Sequence, residues 1–375
     1  MTKCQDQWIL EPPREVELAD TWDQNPSGTW FSPEPAAKRV GLAAAGYHQV
    51  VPRRDQPVVA AEVEEKNQTI VTEFVLLGFQ LDQHSRVFVF SLLLVIYCIT
   101  ICGNLLIIAL VSTSKILHTP MYFFISQLSI SDTILSSTIA PNMLHILLNN
   151  GGSMTFTNCI TQLFFFCASE AFECLLLAVM SYDRYVAICN PLRYSSIMTH
   201  PHCVKLVVIC WLSGLSFILI YNINVSMLSF CGPNIIDHFF CDLLPLLEIS
   251  CSDTFVVKLE IYVLTIPAVI VPTTLIVFSY SRIVSTILKI PSTTGRPKAF
   301  STCSSHLAVV SIFYYTMFGV YTFPTKTETL TISKILSLLY TVFTPLSNPI
   351  IYSLRNKDIW KAVQQTITKI NSSIN

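Results

Sequence analysis

The chain has 375 residues, of which 52% are hydrophobic and 13% are charged. Soluble domains carry about 25% charged residues, so this chain has too little polar surface to coat a globule. The composition therefore excludes an ordinary soluble protein. The formal net charge is −1, and we expect no nucleic-acid partner.

Residues 1–66 are unlike the rest of the chain. They hold seven prolines, mixed charges and no sustained apolar period, so they cannot bury enough surface to fold alone. Because no apolar stretch follows Met1, we predict no signal peptide, and the first span would act as its own insertion signal. We expect a disordered extracellular extension or a gene-model artefact rather than a binding tail.

Seven apolar segments follow, each about as long as the roughly 20 residues that cross a bilayer core of about 30 Å. They are Phe88 to Val111, Met121 to Leu148, Cys159 to Ile188, Val204 to Tyr221, Val256 to Val284, Phe300 to Phe323, and Ile332 to Leu354. We therefore predict an all-α membrane protein, with a seven-transmembrane-helix bundle over residues 67–354 and a cytoplasmic tail over residues 355–375.

The basic residues predict which side of the membrane each connection occupies. One set of connections carries most of them: Lys115, Arg184, Arg193, Lys205, Arg282, Lys289, Arg296, Lys298, Arg355, Lys357, Lys361 and Lys369. By the positive-inside rule this set is cytoplasmic, which places the N-terminus outside. Asn67 begins an Asn-Gln-Thr glycosylation sequon on that outer side, and we predict that it carries a glycan.

Apart from Cys4 in the extension, four of the thirteen cysteines fall on the predicted outer side: Cys159, Cys231, Cys241 and Cys251. In an oxidising compartment four cysteines suggest two disulfides, and their spacing leaves three connectivities open. No CxxC or clustered histidine spacing supports a metal site in this group.

Asp183 and Arg184 stand at the inner end of the third segment. Charge inside a membrane span is expensive, so its presence suggests a function. Arg184 would pair with Asp183 in a closed bundle and turn toward the cytoplasm in an open one, which makes a two-state latch. The alternative is a snorkelling arginine that only anchors the helix end.

Two further features of the spans suggest a switch. Pro349 removes a backbone donor, Asn348 could satisfy the freed groups, and Tyr352 could then move with the helix; the alternative is a proline kept for packing alone. Asp132 and Glu173 are acids at membrane depth, and they cannot both be charged without a cation or a proton. The alternative there is a protonated, hydrogen-bonded network.

The tail after the last span has an apolar period. Ile359, Val363 and Ile367 recur every fourth residue beside Lys357 and Lys361. This pattern predicts a short amphipathic helix on the inner leaflet.

Several motifs occur together in a fixed order along about 300 residues. They are Glu73-Phe-Val-Leu-Leu-Gly-Phe79, Gly103-Asn104, Leu117-His-Thr-Pro-Met-Tyr-Phe-Phe124, Ser131-Asp132, Met180 to Tyr194 with its Asp-Arg-Tyr, Ser279-Tyr280, Lys298-Ala-Phe-Ser-Thr-Cys-Ser-Ser-His-Leu307 and Pro345-Leu-Ser-Asn-Pro-Ile-Ile-Tyr352. In this order they resemble an olfactory receptor of the rhodopsin-like (class A) G-protein-coupled receptors. The chain departs from the family in its long outer tail and in Glu170, where a small residue is common.

The resemblance implies roles for individual residues. It implies disulfides Cys159–Cys241 and Cys231–Cys251, and a sodium ion at Asp132 and Glu173 beside Asn104 and Asn348. It also assigns G-protein coupling and switching to one set of residues: Asp183, Arg184, Tyr185, Tyr280, His306, Asn348, Pro349 and Tyr352. For His306 we expect packing and hydrogen bonding rather than metal ligation.

A ligand site is expected in the outer half of the bundle. On the third segment, Phe166, Cys167, Glu170 and Cys174 share one helical face by their spacing. The resemblance points this face at a second set that shares a face on the sixth segment: Tyr314, Met317, Phe318 and Tyr321. A largely aromatic cavity suits small volatile molecules; the alternative is plain interhelical core.

Glu170 lies three residues from Glu173, so the two carboxyls are neighbours on the helix. An ionised Glu170 would favour an amine or other cationic odorant, whereas a protonated Glu170 would donate to a ketone, ester or alcohol. Desolvation and the lack of a cationic side chain nearby in sequence favour the protonated form, with the ionised form as the alternative.

The resemblance implies an odorant receptor in the plasma membrane of olfactory cilia that raises cyclic AMP through a stimulatory G protein of the olfactory type. A channel or transporter is disfavoured by the odd span count and the lack of an internal repeat. A nearer alternative is a non-chemosensory class A receptor. No nucleophile and base constellation suggests an enzyme.

Overall fold

A computed structural model describes residues 71–231, 233–289, 295–322, 330–354 and 357–374. Asn67 and residues 1–66 therefore lie outside the described residues. The long helices in these ranges are α1 Gln83–Thr113, α2 Pro120–Asn149, α3 Phe156–Cys189, α4 His200–Ser226, α5 Phe255–Leu288, α6 Gly295–Thr322, α7, which runs through Leu330–Leu338, Leu339–Phe343 and Thr344–Leu354, and α8 Lys357–Ile374.

Each of the seven predicted segments falls within one of α1 to α7, except for Phe323, which lies outside the described residues. Five of the described helices, namely α1, α3, α4, α5 and α7, are long and apolar enough to cross a membrane by length and composition. The seven-helix prediction is confirmed at the level of the fold.

Short-range chemistry sets the outer ends of the first three helices. The Asp82 carboxylate accepts a hydrogen bond from the Ser85 backbone N–H at 3.1 Å and caps α1. The Thr155 hydroxyl does the same for α3 through Asn158 at 3.3 Å. At the end of α2, Asn150 adopts the left-handed conformation with φ of 58°, which stops the helix.

Two helices contain a π-helical turn, a feature that often marks a functional position. One is Ile261–Thr265 in α5, ahead of Pro272, and the other is Leu339–Phe343 in α7, ahead of Pro349. The sequence had pointed to Pro349 as a place where the helix loosens, but the π-helical turns themselves were not predicted.

A small sheet lies at the outer end of the bundle, in the order β2–β1–β3, with β1 Glu73–Leu76, β2 Gly152–Thr155 and β3 Ile235–Ile236. β1 pairs antiparallel with β2 and parallel with β3. Side chains alternate along β1, so that Phe74 and Leu76 are fully buried while their neighbours face outward. The sheet joins three segments that are far apart in sequence.

The core follows α3, whose buried side chains run from Cys159 to Val186. One apolar cluster fills the outer half under the sheet, and a second fills the inner half. In the second cluster, Phe172 stacks on Trp211 of α4 with ring centroids 3.9 Å apart. Gly214 lets α4 approach, because a Cβ there would meet Ala171 Cβ at 3.5 Å.

α8 follows the bundle as the amphipathic helix expected after the last span. Ile359 and Ala362 are buried against the inner cluster, and Val363 packs beside them. Trp360 and Ile367 are exposed, so the helix offers apolar side chains to a lipid surface as well as to the protein.

Candidate functional site

The inner end of α3 carries a buried ion pair. Arg184 Nε donates to Asp183 Oδ2 at 2.9 Å, and the guanidinium Nη2 makes a second contact with the same oxygen. The Tyr194 hydroxyl donates to Asp183 Oδ1 at 2.9 Å. Asp183 is fully buried; Arg184 neutralises its charge, and Tyr194, which was not expected from the sequence, adds a hydrogen bond.

Tyr280 of α5 and His306 of α6 meet beside this pair. The Tyr280 hydroxyl lies 2.6 Å from His306 Nδ1, and the rings stack with centroids 5.8 Å apart. His306 is fully buried and serves as a hydrogen-bonding and packing residue in the structure. Tyr185 packs against Ile283, Ile287 and Cys303 of the neighbouring helices.

One amide joins three helices inside the bundle. Asn348 Nδ2 of α7 donates to Asp132 Oδ1 and Oδ2 of α2, each at 3.1 Å, and to Glu173 Oε1 of α3 at 3.2 Å. All three residues are buried. The structure therefore brings together the two acids and the amide that the sequence singled out.

α1 closes on the same cluster. Asn104 Nδ2 donates to the backbone carbonyls of Thr100 and Pro345, both at 3.1 Å. A Cβ on Gly103 would lie 3.4 Å from the Pro349 ring, so a glycine there permits close contact between α1 and α7. Tyr352, one turn below Pro349, is buried in the inner cluster.

The donor atoms of this cluster suit a hard cation such as sodium. The cluster offers two carboxyls and the amide oxygens of Asn104 and Asn348, and neither amide oxygen has a hydrogen-bond partner in the described part of the chain. Among the described residues, no three His, Cys, Asp or Glu side chains come together as a metal site. Sodium at Asp132 and Glu173 therefore stays a prediction, supported by oxygen donors alone.

The outer half of α3 faces aromatic rings. Phe166 meets Phe240 of the outer loop at a centroid distance of 5.0 Å and Tyr340 of α7 at 5.6 Å, both edge to face. Cys167 is half-buried beside them. One turn further in, Glu170 is hydrogen-bonded to Tyr340, and its carboxyl neighbours are Glu173 and Asp132.

Cys174 connects α3 to α5 and α6. Its sulfur lies 3.3 Å from the Tyr314 hydroxyl and 3.6 Å from the Ala268 backbone carbonyl. Cys174 is buried. The structure thus places two of the predicted ligand-site residues, Cys174 and Tyr314, in direct contact across the bundle.

The predicted face of α6 is rotated away from the bundle in part. Met317 packs against the inner cluster, but Phe318 is 69% exposed and its neighbour in space, Tyr315, is 83% exposed. Phe313, which the sequence did not select, is fully buried and lies about 140° around the helix from Phe318. Phe318 is thus on the outward side of α6. The side chain of Tyr321 lies outside the described residues.

The outer cap is our name for β1 to β3 together with the loop from residue 228 to residue 251, which two disulfides cross. Cys159–Cys241 and Cys231–Cys251 are both present, with Cα–Cα distances of 5.4 and 5.9 Å. The Gln162 side chain accepts from the Cys241 backbone N–H at 2.9 Å, so the loop is held to α3 at two adjacent points.

Lys334 fastens the outer cap to α7. Its Nζ donates to Asp237 Oδ1 at 2.5 Å and to the Gly78 backbone carbonyl at 2.8 Å. Lys334 is only 7% exposed, whereas the Asp237 side chain is 38% exposed. One ammonium therefore links α7, the loop and the segment after β1.

Two titratable groups of the loop have shifted pKa values. Burial, together with the nearby Lys334 ammonium, lowers the pKa of His238 to about 3. Burial raises the pKa of Asp242 to about 6, against the hydrogen bond from the Leu243 backbone N–H, which lowers it. His238 is thus neutral at physiological pH, stacked on Phe239.

Sequence reasoning missed Tyr340, Phe240 and Lys334 in these contacts. Phe240 could have been found, because it precedes a cysteine that bonds to the start of α3. Tyr340 and Lys334 carry no local signal, since both act on residues more than 90 positions away.

Comparisons with known proteins point to one family. A family profile described as olfactory receptor matches residues 93–370. Olfactory receptor 11L1 of Homo sapiens is 46% identical over 307 residues, which cover 82% of this chain and 95% of that protein. Olfactory receptor 1468 of Rattus norvegicus is 45% identical over 306 residues, covering 81% and 97% respectively.

Among solved structures, the fold is similar to squid rhodopsin. The TM-score is 0.61 at 17% identity, and the match covers 78% of this chain and 88% of that one. This likeness concerns the fold alone.

Proposed function

Because the chain belongs to the olfactory receptor family of rhodopsin-like G-protein-coupled receptors, we propose that it binds small volatile odorants within the bundle and activates a stimulatory, olfactory-type heterotrimeric G protein. Activation raises cyclic AMP. The protein is a multi-pass receptor of the plasma membrane and not an enzyme; the cilia of olfactory neurons are its proposed location.

The observation that supports this most is a series of polar and aromatic contacts spaced along α3 from its outer to its inner end. It begins at Phe166 and Glu170, passes through Cys174 and the Glu173–Asn348 contact, and ends at Asp183–Arg184. A ligand seated at the outer end of this series would touch the same helix that carries the latch. It need only bind the active arrangement more tightly than the inactive one to shift the population.

The proposed ligand site consists of α3 and its partners on the facing helices. Phe166, Cys167, Glu170 and Cys174 supply the α3 side, and Tyr314, Met317 and Tyr340 face them from α6 and α7. Tyr321 keeps its place as a prediction, and Phe318 is left out because it faces outward. Cys174–Tyr314 links α3 to α6, so a ligand that separates these groups would act on both helices.

The polar cluster lies between ligand and latch. Asp132 and Glu173 share the Asn348 amide, and they require a proton or a cation to stay together in a low-dielectric setting. A sodium ion held there would favour the arrangement in which α2, α3 and α7 are joined. Movement of α7 about Pro349 would pull Asn348 away from these acids.

The latch is the output end. Asp183 is hydrogen-bonded to Arg184 and Tyr194, and Tyr280 is hydrogen-bonded to His306. Opening requires that Arg184 leave Asp183 and find another partner, since an unpaired buried charge is costly. Tyr185, Tyr280, His306 and Tyr352 line the inner half, where a G protein would enter.

The test is a cyclic AMP assay on cells that express the full chain at their surface, with a broad panel of volatile compounds. We expect at least one to raise cyclic AMP in a dose-dependent way. The matched control is Phe165→Leu, since Phe165 is on α3 but exposed on its outer side; it should respond like the wild type. Silence toward the whole panel, at wild-type surface levels, would contradict the proposal.

We also propose that residues 1–66 are dispensable and that Asn67 carries a glycan. The support is the break in composition at Asn67. Removing residues 2–66 should leave surface expression intact, and glycosidase treatment should increase gel mobility. A truncated chain that no longer inserts, or unchanged mobility, would refute the respective claim.

A further inference from the structure

We propose that Glu170 presents a carboxylic O–H to the ligand, so that this receptor selects odorants bearing a neutral oxygen acceptor, as in a ketone or ester, over amines. The inference rests on the proposed function and specifies the ligand class for that site. It follows from a buried glutamate, Glu170, of which one carboxyl oxygen is hydrogen-bonded and the other is not.

The first step is that one oxygen of this carboxyl has no hydrogen-bond partner. Glu170 is 7% exposed. Tyr340 bonds to the carboxyl, yet Oε2 is inaccessible to water and has no hydrogen-bond partner among the described residues. Buried polar atoms are almost always paired. An oxygen left unpaired beside the proposed ligand site is therefore a position at which a ligand atom would be stabilised.

The second step concerns charge. Glu170 has Glu173 and Asp132 as its carboxyl neighbours, and the donor that those two share within the described residues is the neutral Asn348 amide. In the described part of the chain, the basic groups in ion pairs are Arg184, Lys334 and Lys361, and none of them pairs with these three acids. A single sodium ion held by Asp132 and Glu173 would offset no more than the charge of those two acids, so the buried Glu170 carboxyl is left without a counter-charge and keeps its proton.

The third step assigns the proton. The Tyr340 hydroxyl donates to one carboxyl oxygen, which then acts as the carbonyl of the acid. The free oxygen, Oε2, carries the hydrogen and donates. This O–H needs a hydrogen-bond acceptor on the ligand, and an ammonium group has no acceptor atom. An amine would have to take the proton and leave an ion pair in a low-dielectric interior, which costs more than a neutral hydrogen bond.

The surroundings suit the remainder of such a molecule. Phe166 lies one turn outward from Glu170 and meets Phe240 and Tyr340 edge to face. A short hydrocarbon chain would pack on these rings while its oxygen reaches Oε2. The site therefore combines one fixed donor with an apolar wall.

The experiment compares three ligands with one carbon skeleton, a methyl ketone, the corresponding amine and the hydrocarbon, on the wild-type full chain in cells. The ketone should be active and the amine and hydrocarbon at least about tenfold weaker. Glu170→Gln keeps an N–H donor, so the ketone should retain its potency within about threefold. Glu170→Leu has no donor, and potency should fall about tenfold or more.

The outcomes separate the two claims. If no volatile compound activates the wild type, the proposed function fails and this inference with it. If the amine is active and the ketone is not, or if Glu170→Gln abolishes the response, the receptor is odorant-responsive but this inference is overturned. An unchanged ketone potency in Glu170→Leu, with Phe165→Leu as the matched control, would also overturn it.

An infrared measurement tests the proton without any ligand. The difference spectrum between purified wild type and Glu170→Gln should show the loss of a protonated-carboxyl C=O stretching band. Loss of an ionised-carboxylate band instead would overturn the inference even if the receptor responds to odorants.

Discussion

The outer cap and the inner half of the bundle are held together by different kinds of bonds. The outer cap has two disulfides, backbone ladders between β1, β2 and β3, and the Lys334–Asp237 ion pair. The inner half, around Asp183–Arg184 and Tyr280–His306, is joined by side-chain hydrogen bonds and packing. Covalent bonds and ladders resist rearrangement, whereas side-chain partners can be exchanged.

This difference suggests a division of labour. The outer end fixes α3 and α7 relative to the loop, and so would hold the proposed ligand site in shape. The inner end can change partners at a cost of a few kcal/mol, which is the scale on which a ligand shifts a two-state equilibrium. Substitutions in the outer cap should therefore reduce expression or stability, whereas substitutions in the inner half should reduce signalling.

The largest effect is expected from the disulfide at α3. Cys159→Ser should remove most surface expression, because loss of a native disulfide costs about 2–5 kcal/mol. Adding Cys241→Ser should make it no worse, since the bond is already broken. Cys231→Ser should cost about 1 kcal/mol less, because its loop spans 20 residues rather than 82. Equal losses for both pairs in surface labelling would contradict this order.

The next effect is on signalling alone. Arg184→Ala should reduce cyclic AMP output at least about tenfold while the receptor still reaches the surface and binds its ligand, because the latch lies at the far end of α3 from the ligand site. Surface labelling and a ligand-induced thermal shift would check expression and binding. A receptor that signals normally without Arg184 would refute the latch.

A smaller, asymmetric effect is expected at the cap. Asp237→Asn leaves the buried Lys334 ammonium with neutral acceptors and no counter-charge, whereas Lys334→Met leaves Asp237, which is partly exposed, to water. The first should cost about 1–3 kcal/mol of stability and the second less. Thermal unfolding of the purified receptor distinguishes them, and the reverse order would show that the pair is not buried as described.

The smallest effect is on acid stability. Because the pKa of His238 is about 3 in the folded receptor, the unfolded chain binds a proton at this histidine first. The folded receptor therefore loses stability as pH falls from 6.5 toward 3. Because the pKa of Asp242 is about 6 in the folded receptor, the folded chain binds a proton at this carboxyl first. The folded receptor therefore gains stability as pH falls from 6 toward 3.8. The two nearly cancel between pH 6 and 4, with Lys334 and Asp237 the charged groups beside His238.

Single substitutions should reveal the separate contributions of His238 and Asp242 to the pH dependence of the unfolding temperature. Asp242→Asn should make the unfolding temperature fall more steeply between pH 7 and pH 5, and His238→Phe should make it rise instead. His145→Gln is the control, because His145 is exposed at the end of α2. Identical pH profiles for the first two variants would contradict the opposing shifts.

The fold was largely predictable from the sequence because a membrane span needs a long apolar run, which hydropathy alone reveals. The sheet was not. Glu73-Phe-Val-Leu76 looks like any short apolar stretch, and its strand partners lie about 80 and 160 residues away. Local patterns carry no information about such long-range pairing.

The orientation of side chains within each span was less predictable. Lipid is as apolar as the protein interior, so an outward Phe318 and an inward Phe313 look alike in sequence. Polar residues were placed well, because Asp132, Glu173 and Asn348 have to find one another away from lipid. The motifs thus predicted which polar side chains meet better than the spacing predicted which side of α6 faces the bundle.

The central claim is that the inner half rearranges while the outer cap stays fixed. The most direct measurement is a pair of spin-label distances in the full chain, with and without an activating odorant and the G protein. One pair would join the inner ends of α3 and α6, and the other would join the outer end of α3 to the outer loop. We expect the inner distance to lengthen and the outer distance to stay the same. A longer outer distance with an unchanged inner one would contradict the account.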